Sequence, residues 1–358
     1  MNRAKPATIL DRADEFLNEV LSGEPAYPLF SREFSAVMSG GLLPGKLYTI
    51  EGPPDGTKSA LAVLMANKLA EDHKIPCVFV SSTLSGKEVY IRSISRISRL
   101  HSGDIEGKMW LDPFWVKENG KDAVARVKSR IKDADATFRE YASRILMVEV
   151  PVEGSIPVSE VSERLQADRE YFKEQDGLSE LPKPVVFVDT LRGLRYSDER
   201  RESGEPTLDE LIKMLKELRA EAQRTGCPIV ALVDGVAFGR LYLKAGILPS
   251  THGHELGFTS YHADTTILLE TDDTLLSEAI QELYDRGQDT DAAKLEDARS
   301  RFPLSNPRIA PLVPTYARLT ISARGAGAAR NIYFIYLKAV GDFLDMSFRR
   351  REIKKIYE

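Results

Sequence analysis

Short runs of Val, Ile, Leu and Phe alternate along the chain with longer stretches in which apolar residues recur every three or four positions. The short runs are "KLYTI" (46–50), "IPCVFVSS" (75–82), "RILMVEV" (144–150), "PVVFVDT" (184–190), "CPIVALVD" (227–234), "TTILLE" (265–270), "ARLTIS" (317–322) and "NIYFIYL" (331–337). Each is near-continuously apolar, as a strand covered on both faces must be. The stretches between them predict helices over Ser59–Ala70, from Gly86, in interrupted form over His101–Tyr141, in "VSEVSERLQADREYF", and over Thr207–Arg224. Ser85 with Glu88, and Thr207 with Glu210, have capping-box spacing and mark two of the starts. Alternation of this kind predicts an α/β fold with a central, mainly parallel sheet and helices on both faces. The last two runs have no helix between them and predict an antiparallel hairpin at one edge.

Two segments fall outside the rhythm. Ile9–Leu21 carries a single helical stripe of Ala13, Phe16, Leu17, Val20 and Leu21, which either covers its own domain or docks on a neighbouring subunit. Residues 271–314 are rich first in Asp and Glu, then in Pro. "LLSEAIQELYDR" and "AAKLEDARSRF" predict a small helical excursion, either a solvated insertion or a contact for a protein partner.

Composition narrows the picture. The net charge of −5 over 358 residues means that any nucleic-acid surface is a local patch. Cys77 and Cys227 both open apolar strands and read as buried, reduced thiols, which fits a cytoplasmic protein. The charged N-terminus has no signal-peptide pattern, and no apolar run is long enough for a membrane span.

The chemistry concentrates in "EGPPDGTKSALAVL" (51–64). Gly52–Ser59 follows a strand and opens a helix, the setting of a phosphate-binding loop. In that setting Gly52, Gly56 and Thr57 shape the anion cradle, Lys58 reaches the outer phosphates, and Ser59 meets Mg²⁺. Gly56 stands one place early, Thr57 occupies the position before the lysine, and Asp55 looks inserted. A carboxylate a few Å from a phosphate repels it by roughly 1–4 kcal/mol at effective dielectrics of 80 to 20. Asp189, at the end of "VVFVD", is the candidate for the Mg²⁺-water ligand. The ligand implied is a nucleoside triphosphate. "THGHELGFTSYHAD" gathers His252, His254, His262, Glu255 and Asp264, either a metal site or, on the preferred reading, a polar loop.

"SGGLLPGKLYTIEGPPDGTKSALAVLMANKLAEDHKIPCVFVSSTLSGKEVYIRSIS", followed by "RLHSGDI", "PVVFVDTLRGL", "CPIVALVDGVAFGR", "THGHELGFTSYHADTTILL" and "ISARGAG", resembles the ATPase domain of DnaB-type replicative helicases, within the RecA-like P-loop superfamily. The resemblance runs from about Phe30 to Met346. It implies a linker-type helix over 1–27, a RecA-like domain over 28–350 with 271–314 inserted, and a basic tail over 351–358. It also implies a homo-oligomer, ring or filament, that engages single-stranded DNA. The DNA-facing candidates are Arg192, Arg195, Arg200 and Arg201 after one strand, and Arg240 and Lys244 after the next, with acidic Asp198, Glu199 and Glu202 interspersed.

The departures from the family bear on chemistry. In Ser81-Ser82-Thr83-Leu84-Ser85, Thr83 occupies the position of the family's catalytic Glu. Asp234 stands at the end of the strand after which the family has a phosphate-sensing Gln. The family's trans-acting Lys-x-Arg pair matches Ser322-Ala323-Arg324, leaving Arg324 as the candidate arginine finger. The alternatives are therefore a DNA-dependent ATPase or helicase, a weakly hydrolysing or non-catalytic scaffold, and a nucleotide switch unconnected to DNA.

Overall fold

The computed structural model describes residues 13–14, 17, 21, 24–52, 56–151, 155–161, 171–172, 182–195, 206–234, 259, 262–301, 303–305, 310–324 and 329–346. The strands are β1 (Leu47–Gly52), β2 (Cys77–Ser81), β3 (Ile145–Glu149), β4 (Ile156–Pro157), β5 (Val185–Asp189), β6 (Leu194–Arg195), β7 (Ile229–Asp234), β8 (Thr265–Thr271), β9 (Pro314–Ala323), β10 (Arg330–Leu337) and β11 (Asp342–Asp345). Nine of them form one sheet in the order β11-β10-β9-β8-β1-β7-β5-β2-β3, and β4 pairs with β6 separately. From β8 to β3 every neighbouring pair is parallel. From β8 to β11 every pair is antiparallel. All eight expected strands are present, and β11 adds an edge that the pattern did not foretell.

The helices are α1 (Arg32–Val37), α2 (Thr57–Asp72), α3 (Gly86–Ser98), α4 (Ser102–Glu106), α5 (Pro113–Asn119), α6 (Lys121–Arg139), α7 (Leu208–Thr225), α8 (Leu275–Asp285) and α9 (Asp289–Arg301). Both expected capping boxes form, at Ser85–Glu88 and Thr207–Glu210. The two-residue strand period sends alternate side chains to opposite faces. Phe79, Phe187, Val230 and Leu232 meet α2 on one face. Val78, Val80, Val186, Val188 and Ala231 meet α7 on the other. Helix α2 is buried almost all round, which is why its sequence is apolar on every side.

The acidic excursion is more than a solvated insertion. Leu275, Leu276 and Ile280 of α8, with Ala292 and Ala298 of α9, pack on Tyr316, Ile335 and Leu337. The hairpin thus roofs the antiparallel half of the sheet and leaves its charged side outward. Cys77 and Cys227 are free and buried, as expected, and burial pushes the Cys77 thiol up. Among the described residues no helix is long and apolar enough to cross a membrane.

Candidate functional site

In a parallel sheet, ligands bind beyond the carboxyl ends of the strands. β1 and β5 end side by side with β7 between them, so Gly52, Asp234 and Asp189 share that edge. Gly52 is required there, because a Cβ would lie 2.8 Å from the Leu269 carbonyl oxygen. Gly56 caps α2 with φ at +80°, a left-handed conformation that glycine adopts without strain. The residues between them, Asp55 included, lie outside the described set.

Helix α2 then delivers the chemistry in its first turn. Thr57 is buried at 2 % exposure. Lys58 is 5 % exposed, and its Nζ donates to the Gly52 carbonyl oxygen at 3.0 Å. The ammonium therefore folds back onto the end of β1.

Asp189 is 1 % exposed. Its Oδ2 accepts from the Thr83 hydroxyl at 2.9 Å, while Oδ1 is buried with no hydrogen-bond partner. Burial raises the Asp189 pKa, against the opposing pull of the Thr83 and Ser59 hydroxyls and of the Arg92 and Lys58 charges. A buried carboxylate oxygen left without a donor, beside a serine hydroxyl and a lysine, fits a hydrated divalent cation. The residues present thus fit Mg²⁺.

The raised pKa has a consequence for stability. A carboxylate raised in the folded state contributes fully below its unfolded pKa, and the contribution is lost as the pH climbs through the raised value. Asp189→Asn removes the buried charge while keeping the shape. It should raise the melting temperature at pH 7 by about 2–4 °C, and the gap should close below about pH 4. Thermal melts across pH check this, and a lower melting temperature at pH 7 would count against it.

Thr83 is placed by the turn after β2. Ser81 Oγ accepts from the Thr83 and Leu84 amides at 3.1 and 2.7 Å. Ser81 is also in register with Asp189 on β5, so the turn carries Thr83 onto Asp189. Asp234 stands directly beside Gly52 in the register of β7 with β1.

Two contributors escaped the sequence reading. Arg92 on α3 faces the loop, its guanidinium 3.9 Å from where a Cβ on Gly56 would sit. Its only signal is the four-residue spacing from the capping Glu88. Glu51, fully buried in β1, accepts from the Thr259 amide at 2.6 Å and from the Thr259 hydroxyl. It ties the end of β1 to the segment leading into β8.

The remaining candidates divide between the two edges. Arg192, exposed, and Arg195, half-buried, follow β5 at the Asp189 edge. Arg200, Arg201, Arg240 and Lys244 lie outside the described residues, as does the 351–358 tail. Arg324 follows β9 at the opposite edge, its amide donating to the Asp264 carbonyl at 2.8 Å. The histidine-rich stretch does not assemble a metal site among the described residues. His252, His254 and Glu255 lie outside that set, and the Asp264 carboxylate is held by Arg219 at 2.7 Å. His262 is lowered by burial and by the nearby Lys216 and Arg324 charges, which would also repel a cation.

No protein-family model matches the chain. Replicative DNA helicase DnaB of Leifsonia xyli subsp. xyli (strain CTCB07) is 24% identical over 200 residues, which is 54% of this chain and 36% of the relative. Replicative DNA helicase DnaB of Buchnera aphidicola subsp. Baizongia pistaciae (strain Bp) is 24% identical over 196 residues, again 54% and 36%. The match thus spans about a third of those relatives. The solved ATPase domain of G40P superposes with TM-score 0.62 at 14% identity, covering 95% of this chain and 99% of that one. The fold is that of a DnaB-type RecA-like domain. A DnaB-like replicative helicase, solved for its interactions with primase, superposes with TM-score 0.60 at 13% identity over 96% of this chain and 68% of its own. In this fold Gly52, Asp189 and Asp234 share one edge of the sheet and Arg324 lies at the other.

Proposed function

We propose that this chain binds ATP with Mg²⁺ at the Gly52–Ser59 loop, assembles with further copies, contacts DNA in replication or recombination, and hydrolyses ATP weakly or not at all. The observation that carries the reading is that the Lys58 ammonium, at the Gly52 carbonyl, and a buried Asp189 Oδ1 with no hydrogen-bond partner occur at the same edge of the sheet.

Lys58 would exchange the Gly52 carbonyl for the outer phosphates, and Gly56 leaves the backbone room to approach them. The Ser59 hydroxyl and Asp189 Oδ1 would hold Mg²⁺, the latter through water. Bound Mg²⁺ neutralises charge on the phosphate oxygens. A cavity of about 220 Å³ beside Gly56, bordered by Arg92, Ser102, Glu106, Tyr336 and Lys338, suits the base and ribose.

At position 83 hydrolysis has no carboxylate to serve as base. The Thr83 hydroxyl cannot take a proton from water at neutral pH, and it is engaged in donating to Asp189. Asp234 adds a carboxylate beside the loop. Arg324 is a six-residue strand away, about 20 Å, so it can act only on a nucleotide held by another copy. Apolar surface for such assembly is present in Leu17 and Leu21, exposed at 55 % and 75 %, and in Leu111 and Phe114, exposed at 61 % and 79 %.

The second reading is a non-catalytic scaffold that keeps the fold for protein assembly, with the outward side of the 271–314 hairpin as the partner contact. It is favoured by the loss of the base at Thr83 and by the exposed Phe114. DNA affinity separates the two. Single-stranded DNA binding should weaken steeply with salt, and Arg192→Ala should lower the slope of log affinity against log salt by about 1. Salt-independent or undetectable DNA binding would favour the scaffold.

A further inference from the structure

Helix α6 presents an exposed basic face. Its Val127, Ala134 and Phe138 turn inward, to a cluster that includes Ala70 of α2. Lys121, Lys128 and Lys132 are exposed. At 3.6 residues per turn they fall within about 40° of one another, a single basic row. Among the described residues none of the three forms an ion pair, whereas Arg139 of the same helix is held by Asp135. Just ahead of the helix, Leu111 and Phe114 are large apolar side chains in solvent, which marks a contact surface.

The α8–α9 hairpin has the complementary character. Residues 271–301 carry nine carboxylates and four cations, an excess equal to the net charge of the whole chain. Glu282, Asp291 and Asp297 are paired with Arg286, Lys294 and Arg301. Glu278, Asp285, Asp289 and Glu296 are exposed and have no cation among the described residues. Glu278 and Asp285 stand seven residues apart, as do Asp289 and Glu296, and as do Lys121 and Lys128. Each spacing is two helical turns, about 10.5 Å, so the acidic and basic rows match in pitch. Tyr284, and Val313 just ahead of β9, add exposed apolar surface. The two surfaces cannot meet within one chain. On β10, Ile335 and Leu337 face the hairpin while Phe334 and Tyr336 face the α2 side. The sheet therefore lies between the hairpin and α6.

We propose that the basic row of α6, with Leu111 and Phe114, docks on the acidic α8–α9 hairpin of a second copy of this chain. The proposal rests on the assembly reading given above and names the surfaces that meet. The two surfaces differ and lie on opposite sides of the sheet, so the contact is head-to-tail. Each copy then keeps one surface open for the next. Matched rows of opposite charge set the register and disfavour like against like.

Sedimentation velocity of the full chain over a range of concentrations tests it. Lys121→Glu/Lys128→Glu/Lys132→Glu reverses the row, Glu278→Lys/Asp285→Lys/Asp289→Lys reverses the hairpin, and a further chain carries all six changes. Each three-site reversal should weaken self-association about tenfold or more, the combined effect of several individually modest exposed pairs. The two reversed chains mixed in equal amounts, and the six-site chain, should associate like the parent. Association of the parent should weaken as salt rises. Every substituted position is exposed, so all the chains should melt with the parent. Parent-like association of both reversed chains would overturn the contact and leave the assembly reading standing. Loss without recovery, on mixing or in the six-site chain, would also overturn it. If reversing the lysine row lowers affinity for single-stranded DNA but not self-association, the row serves nucleic acid and the proposal fails. A parent that is monomeric at every concentration would remove the assembly reading and this proposal together.

Discussion

Lys58→Ala should abolish saturable MgATP binding, weakening it by about a hundredfold or more. The reason is positional. In the described site Lys58 is the cation at the end of β1, with Nζ 3.0 Å from the Gly52 carbonyl. The other candidate cation, Arg92, approaches from α3 beside Gly56. Because Lys58 is buried, the alanine variant also loses packing in the first turn of α2. Lys58→Met keeps the stem and removes only the charge. Both variants should lose binding, and the Met variant should keep the parent's melting temperature. Calorimetric titration with thermal melts checks this. Parent-like ATP affinity in Lys58→Met would detach the loop from nucleotide altogether.

Thr83→Glu should give the opposite kind of result, a gain. A carboxylate at this position restores a group able to take a proton from water, an effect of about a hundredfold on turnover. The turn held by Ser81 Oγ is unchanged by the substitution, so the new side chain starts from a defined backbone. It would stand close to Asp189, whose Oδ2 the Thr83 hydroxyl now occupies. Two carboxylates there repel unless a divalent cation lies between them. The gain should therefore appear only with Mg²⁺, and the variant without Mg²⁺ should be less stable than the parent. Steady-state phosphate release, with and without single-stranded DNA, reads the effect. Turnover of the parent at an ordinary motor rate, with no gain in Thr83→Glu, would mean that another group serves as the base.

Most of the fold could be read from the alternation of apolar runs, because a strand buried on both faces leaves a continuous signature. Asp342–Asp345 left none. Its four residues begin and end in Asp, and both carboxylates are buried against distant partners, Arg99 for Asp342 and Ser31 for Asp345. A polar residue satisfied by an element hundreds of positions away carries no local pattern. Glu51 was invisible for the same reason, since its partner Thr259 is remote in sequence. The helical excursion showed its helices but not its attachment. Leu275, Leu276 and Ile280 reveal their role only once Tyr316 and Ile335 lie beneath them.

The candidate site was legible where it is contiguous and opaque where it is assembled. Gly52 through Ser59 announce themselves by spacing, and Asp189 by ending an apolar strand. Arg92 belongs to a helix whose charge pattern looks like an ordinary solvated face. Only the packing of α3 beside Gly56 brings that charge to the candidate site.

The central claim is that the loop holds ATP with Mg²⁺ and leaves it intact. One measurement meets it directly: incubation of the purified chain with Mg²⁺ and ATP for many expected motor cycles, followed by isolation of the complex and chromatography of the released nucleotide. Retained nucleotide should be predominantly ATP, with none retained by Lys58→Met. Retained nucleotide that is mostly ADP with stoichiometric phosphate release, or no retained nucleotide in the parent, would contradict it.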